Sequence, residues 1–367
     1  GVLVQLPGLT CPHVWAQGGF LSPWRMIQRM LPRNVPVVTV ASPVWCSLLL
    51  LSLLVACKPV TAAPDAKRTS NPKVSATKTR AKARGSSQTA PRAAPATVQG
   101  DAPKPPSAAE AQRRYRWSRR RPGYESLARR IAPPPGYRRV AVAPGSYGSW
   151  LRHLPMLPKG SPVLSYQGQT ILPAGHRSYL AVVDLDVGKR DRQQCMDTIM
   201  RLRGEYLHHR GRADRVAFAW AGGRRFGYRH WRQGQRPQKE GRRWRFVKKR
   251  GPWSGYKSFR RYLGFMFSWT GTIHQRGERK VRPEALRAGD FFIQAGSPGH
   301  AVVVLDVATG PKGERVALLG QGFMPAQDLH ILAGTRAGWF PLEPPKKVLT
   351  PLWSRPFAWS DLRRFRN

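Results

Sequence analysis

From about Tyr124 onward, hydrophobic positions recur along the chain with two different periods. Cys195, Ile199, Leu202 and Tyr206 fall at i, i+4, i+7 and i+11, and Phe259, Tyr262, Leu263, Met266 and Phe267 repeat such a stripe. This spacing predicts two amphipathic helices, over 191–209 and 256–269. Asp191, followed three residues later by Gln194, reads as a capping box that opens the first of them. Short apolar runs predict strands at 162–166, 179–187, 215–220, 243–247, 291–294, 301–307 and 316–320. The last two are joined by the turn-forming run Thr309-Gly310-Pro311-Lys312-Gly313. Residues 149–154 read as a short helix or turn ended by Pro155, and Ser360 as the cap of a short final helix from Asp361. Two substantial helices among many strands predict a single α+β domain over 122–367.

The first third of the chain has a different texture. Arg25, Arg29 and Arg33 precede a stretch without charge from Val35 to Ala56, whose end is dense in Leu. This is the layout of a secretory signal, with Met26 and Met30 as candidate starts. It closes on Leu54-Val55-Ala56-Cys57, which resembles the bacterial lipoprotein processing box. The resemblance makes 1–57 an extension plus signal peptide, and Cys57 the acylated residue. Acyl chains then anchor the protein to a membrane. The alternative is an uncleaved anchor helix, for which the uncharged stretch is just long enough. Residues 58–121 are rich in Ala, Pro, Ser, Thr, Lys and Arg, with almost no large apolar side chain before Tyr115. Such a segment buries too little surface to offset its ordering entropy, so a disordered basic linker is expected.

Charge changes the picture next. The chain has 367 residues with 63 Lys+Arg against 19 Asp+Glu, a formal net charge of +44. That points to polyanionic partners. With export, the expected partner is the membrane through the lipid anchor, together with peptidoglycan or another anionic envelope polymer, and no nucleic acid is expected. The stretch from Arg224 to Arg250 interleaves bases with Phe226, Tyr228, Trp231 and Trp244, a mixture that can stack on nucleobases or sugar rings or form a solvated basic hairpin.

Candidate chemistry begins at Cys195, in the first turn of the predicted helix, where amides and dipole favour a thiolate. The same residue also fits a small buried hydrophobe. Further on, Ala288-Gly289-Asp290-Phe291-Phe292-Ile293 is followed by Gly299-His300-Ala301-Val302-Val303-Val304. This resembles the strand, turn, Gly-His, strand arrangement of papain-like NlpC/P60 and CHAP peptidoglycan hydrolases. The resemblance implies Cys195 as nucleophile, His300 as general base and Gln321, after the next strand, as the group that orients the imidazole. A closer resemblance rests on Ser149-Trp150-Leu151-Arg152-His153-Leu154-Pro155, on Asp191-Arg192-Gln193-Gln194-Cys195-Met196-Asp197, on Arg201-Leu202-Arg203-Gly204-Glu205-Tyr206-Leu207, on Gly296-Ser297-Pro298-Gly299-His300-Ala301 and on Met324-Pro325-Ala326-Gln327-Asp328-Leu329-His330. These blocks are similar to the bacterial family of domain of unknown function 4846, which carries no established activity.

Three function classes therefore stand open: a thiol amidohydrolase acting on cell-wall peptide, a non-catalytic envelope-binding lipoprotein, and a carboxylate glycosidase. The last uses Asp184 and Asp186, which alternate along a predicted strand, with Asp197 and Glu205 near in sequence. In abundant Arg these acids also read as ion-pair partners. The loop from Gln321 to His330 is placed to line a pocket beside His300. The histidines show neither Cys-x-x-Cys nor His-Glu-x-x-His spacing, so no metal or other cofactor is expected.

Overall fold

The computed structural model describes residues 106–118 and 125–367. The leader, Cys57 and most of the expected linker lie outside the described residues. Among the described residues, no helix is long and apolar enough to cross a membrane.

The architecture is α+β, built on a nine-stranded antiparallel sheet. Its strands are β1 (Arg138–Arg139), β2 (Tyr179–Val182), β3 (Arg279–Lys280), β4 (Phe291–Gln294), β5 (His300–Thr309), β6 (Arg315–Gln321), β7 (His330–Leu332), β8 (Phe340–Leu342) and β9 (Leu362–Arg364). The spatial order is β2-β7-β6-β5-β4-β9-β3, with β1 paired to the far end of β5 and β8 to the start of β6. The central strand β5 is buried along almost its whole length, which suits its run of Val and Leu. It pairs with β4 through Ile293↔Ala301 and with β6 through Val303↔Gly320.

Three helices matter for the site: α1 (Tyr147–Arg152), α2 (Cys195–His209) and α3 (Gly255–Trp269). α2 lies on one face of the sheet. Cys195, Ile199 and Leu202 share a core there with Ala301, Val303 and Leu305 of β5 and Leu318 of β6. The opposite face carries a second core in which Val302, Val304, Ala317 and Leu319 meet Phe357 and Val348 from the hairpin 348–357. The alternation of β5 side chains between the two cores follows from the pleat. Gly322, just past β6, keeps close company with α2: a Cβ there lies 2.5 Å from Thr198 Oγ1.

Several boundaries differ from the sequence reading. α2 starts at Cys195, not Asp191: Gln194 is the cap and its amide donates to Asp197 Oδ2 at 3.3 Å. Asp191 instead accepts from the Ala326 amide and the Gln194 side chain, pinning the loop before the helix. The strand expected over 179–187 ends at Val182, because Val183 and Asp184 turn to pair with Leu329 and Pro155. No helix follows Ser360. A single 3-10 turn there leads straight into β9, since the apolar Leu362 is drawn into the sheet beside Phe292. The end of the expected linker is also ordered. Residues Ala108–Arg114 form a helix, Tyr115 is buried with its hydroxyl donating to Trp150 O at 2.6 Å, and Trp117 Nε1 donates to Asp184 O. The two large rings supply the apolar anchor that the preceding residues lack.

Candidate functional site

Cys195 opens α2 with its side chain buried to 5 % exposure. The sulfur is held among amides, including that of Ala301, which favour the thiolate. Burial and the neighbouring Asp197 act more strongly the other way and push the thiol pKa up to about 12. At neutral pH it is a thiol. Asp197 is itself raised to about 8 by burial, against hydrogen bonds from the Gln194 amide and from Thr270 Oγ1 at 3.1 Å.

His300, Gln321 and His330 form a row across β5, β6 and β7. His300 Nε2 lies 2.7 Å from Gln321 Oε1, Gln321 Nε2 lies 3.2 Å from His330 Nε2, and His330 Nδ1 lies 3.0 Å from the Asp328 carbonyl. All three side chains are fully buried. Their proton positions follow from the end of the row. The Asp328 carbonyl only accepts, so His330 carries its proton on Nδ1 and accepts at Nε2. Gln321 then presents its NH₂ to His330 and its oxygen to His300, which must donate from Nε2. His300 Nδ1 is left as a buried lone pair with no hydrogen-bond partner. Burial, the largest influence, holds both imidazoles at a pKa of about 4, although the Gln321 bond raises His300 and the Asp328 bond raises His330. Both rings are neutral acceptors or donors at pH 7. Phe323 and Trp353 pack on the His300 ring with centroids at 4.8 and 4.9 Å and shield the Gln321 bond from water.

The predicted trio is therefore brought together only in part. His300 and Gln321 make the expected contact. Cys195 meets β5 at Ala301, one residue along, yet it belongs to the α2 core whereas His300 turns to Phe323, Trp353 and Phe357. No hydrogen bond joins the sulfur to the imidazole. His330 is the member that the trio omitted. Its place in the loop after Gln321 is the signal, and the Gln321↔His330 register is what turns proximity in sequence into a contact.

The carboxylate pair is not an acidic cleft. Asp186 pairs with Arg201 at 3.0 Å and with Arg260 at 2.9 Å, and Glu205 takes the other edge of Arg201 at 2.6 Å and a bond from Tyr256. Asp184 accepts from Ser118. Arg201 is completely buried, so these acids neutralise a core guanidinium. The basic stretch 224–250 forms a hairpin of Gln235–Glu240 and Arg243–Lys248. Its rings turn inward: Phe246 stacks on Phe226 at 5.0 Å and Trp244 meets Trp220 at 4.9 Å. Among the described residues, no three His, Cys, Asp or Glu side chains converge as a metal site does.

A family model described as a domain of unknown function (4846) matches residues 127–364. Comparison with curated proteins gave no match. Comparison with solved structures gave none either.

Proposed function

We propose, for a chain that belongs to the family of domain of unknown function 4846, that the domain is a papain-like thiol amidohydrolase held in a closed resting form on an envelope lipoprotein. The observation that carries the reading is the unpartnered lone pair of His300 Nδ1, fixed in place by Gln321, one residue from the peptide whose amide faces the Cys195 sulfur. In this reading the neutral thiol and imidazole rest on opposite faces of β5, and substrate entry must turn the start of that strand to bring the sulfur and Nδ1 together. The S–H proton passes to Nδ1 as sulfur bonds to an amide carbonyl carbon and the C=O electron pair moves onto oxygen. Collapse breaks the C–N bond, the imidazolium returns the proton to the departing amine, and water releases the thioester by the same route. In this reading the Cys195 and Met196 amides, which face the sulfur at rest, serve as the oxyanion donors. The substrate class, cell-wall peptide, and the anchoring at Cys57 rest on the leader. Digestion of peptidoglycan by the full chain, lost in both Cys195→Ala and His300→Ala, supports the assignment. Undiminished digestion by Cys195→Ala, or none by the wild type, sinks it.

A second reading is favoured by one observation, the burial that raises the thiol to about 12. Here the protein binds envelope polymer without cleaving it. Co-sedimentation with intact peptidoglycan in the absence of any digestion selects it. For either reading, incorporation of labelled fatty acid that disappears in Cys57→Ala tests the anchor.

A further inference from the structure

At the other end of β5, roughly 20 Å along the strand from His300 at about 3.3 Å per residue, a cavity of about 520 Å³ opens between α1, α2, β3 and the residues after β9. Arginines make up about a third of its lining. Arg203, Arg215, Arg279 and Arg287 line it, beside an apolar side formed by Val140, Val142 and Phe365.

The two acids in the wall are already engaged. Asp290 takes Arg364 through both oxygens, at 2.5 and 2.8 Å, and also the Arg287 amide. Asp306 takes Arg139, Arg152 and the Val307 amide. Among the described residues, no carboxylate forms an ion pair with the side chains of Arg215, Arg279 or Arg287. Arg203 donates to oxygens of Asn367. These cations repel one another: Arg215 and Arg287 lower the pKa of Arg203, secondary to burial, and Arg364 and Arg279 do the same to Arg287.

Tyr147 points independently to a ligand. It lines the same cavity, stacks on Tyr206 at 5.0 Å and lies under the Arg203 guanidinium. Its hydroxyl is buried and has no hydrogen-bond partner, a donor left unsatisfied beside a wall of positive charge. An acceptor with two negative charges and several oxygens suits both the phenol and the planar guanidinium forks of this wall.

We propose that this cavity is a binding site for a phosphate monoester, with the dianion among Arg203, Arg279, Arg287 and the Tyr147 hydroxyl and the organic part against Val140, Val142 and Phe365. The site is separate from the Cys195 and His300 region and stands whether or not the thiol chemistry does. A soluble ester and a phosphomonoester lipid headgroup present the same group, so both are probed. The full chain is titrated with glycerol 3-phosphate by calorimetry, and with vesicles containing phosphatidic acid by flotation. Saturable one-to-one binding is expected. Arg279→Ala combined with Arg287→Ala weakens it at least tenfold and Tyr147→Phe weakens it several-fold, while Arg243→Ala combined with Arg245→Ala on the exposed hairpin leaves it unchanged. Circular dichroism and melting confirm that each variant folds. Binding confined to the ester, or confined to the vesicles, with that variant dependence upholds the site and identifies the source. Failure of both probes to saturate the protein overturns the proposal, as does an equal loss in the hairpin variant, which marks diffuse attraction to a basic surface. Tighter binding of citrate than of the ester overturns the phosphate assignment.

Discussion

Gln321 Oε1 stands 2.7 Å from His300 Nε2, and this bond decides which imidazole nitrogen carries a proton. Replacing Gln321 by Leu strips His300 of its acceptor and His330 of its donor in a fully buried row. Two unsatisfied groups at roughly 1–3 kcal/mol each predict a loss of about 3 kcal/mol, read as a lower midpoint in urea. Gln321→Glu places a carboxylate beside Nε2 instead, and the His300 ring signals in NMR then titrate at a higher pH than in the wild type.

The buried acids and imidazoles respond to pH with opposite signs. His300 and His330 have folded pKa values of about 4, below the ordinary 6.5. Their contribution to stability is present above pH 6.5 and is lost as pH falls to about 4, where the fold must accept both protons. Asp197 is the reverse. Its folded pKa of about 8 lies above the usual carboxylate value, so the fold holds its proton and stability drains away as pH rises from about 4 through 8. Asp197→Asn keeps the protonated shape and removes that loss. Relative to the wild type the variant gains stability steadily between pH 5 and 8, measured by denaturation at several pH values. A constant difference across that range contradicts a raised Asp197.

Asp306 is fully buried between Arg139 and Arg152. Asp306→Asn leaves two guanidiniums in a low-dielectric wall with no counter-charge. The expected cost is about 3–5 kcal/mol in chemical denaturation. Arg114→Ala, which breaks a half-exposed helical pair with Glu110, is expected to cost below about 0.5 kcal/mol and serves as the contrast.

Gly289 sits at φ +94°, and a Cβ there lies 2.4 Å from the Tyr147 ring. Gly289→Ala therefore combines backbone strain with a clash against a packed aromatic, and about 3 kcal/mol is expected to be lost. Gly168 has φ +83° with open space around it, so Gly168→Ala carries the backbone part alone, about 1 kcal/mol. Equal melting temperatures for the two variants contradict the clash.

Elements with strong local periodicity were legible in the sequence. The stripe Phe259–Tyr262–Leu263–Met266–Phe267 became α3, and the Val-rich run 301–307 became the central strand. The α+β class followed from such segments, and the family from the blocks around 149–155, 191–197 and 324–330. What sequence hid was set at a distance. Leu362 looks like a residue of a terminal helix until Phe292 offers a sheet edge. Tyr115 looks like the end of a tether until Trp150 offers a carbonyl. At the candidate site, His300 and Gln321 were legible because one hairpin joins their strands. The separation of Cys195 from His300 was not, because it turns on which face of β5 each side chain meets. The arginine-lined cavity gathers residues from segments spread over more than 200 positions, and no local pattern announces it.

The strand order carries a consequence for how the chain assembles. β9, residues Leu362–Arg364, is not a flap on the rim but a seam sewn between β4 and β3. Among the described residues, β3 pairs with the sheet through β9 alone. A ribosome emitting the chain from its N-terminus releases β4, β5 and β6 long before their outer neighbour exists. The sheet therefore closes on this side with a strand made after β4, β5 and β6, and until it emerges one side of β4 stays open to whatever it meets first.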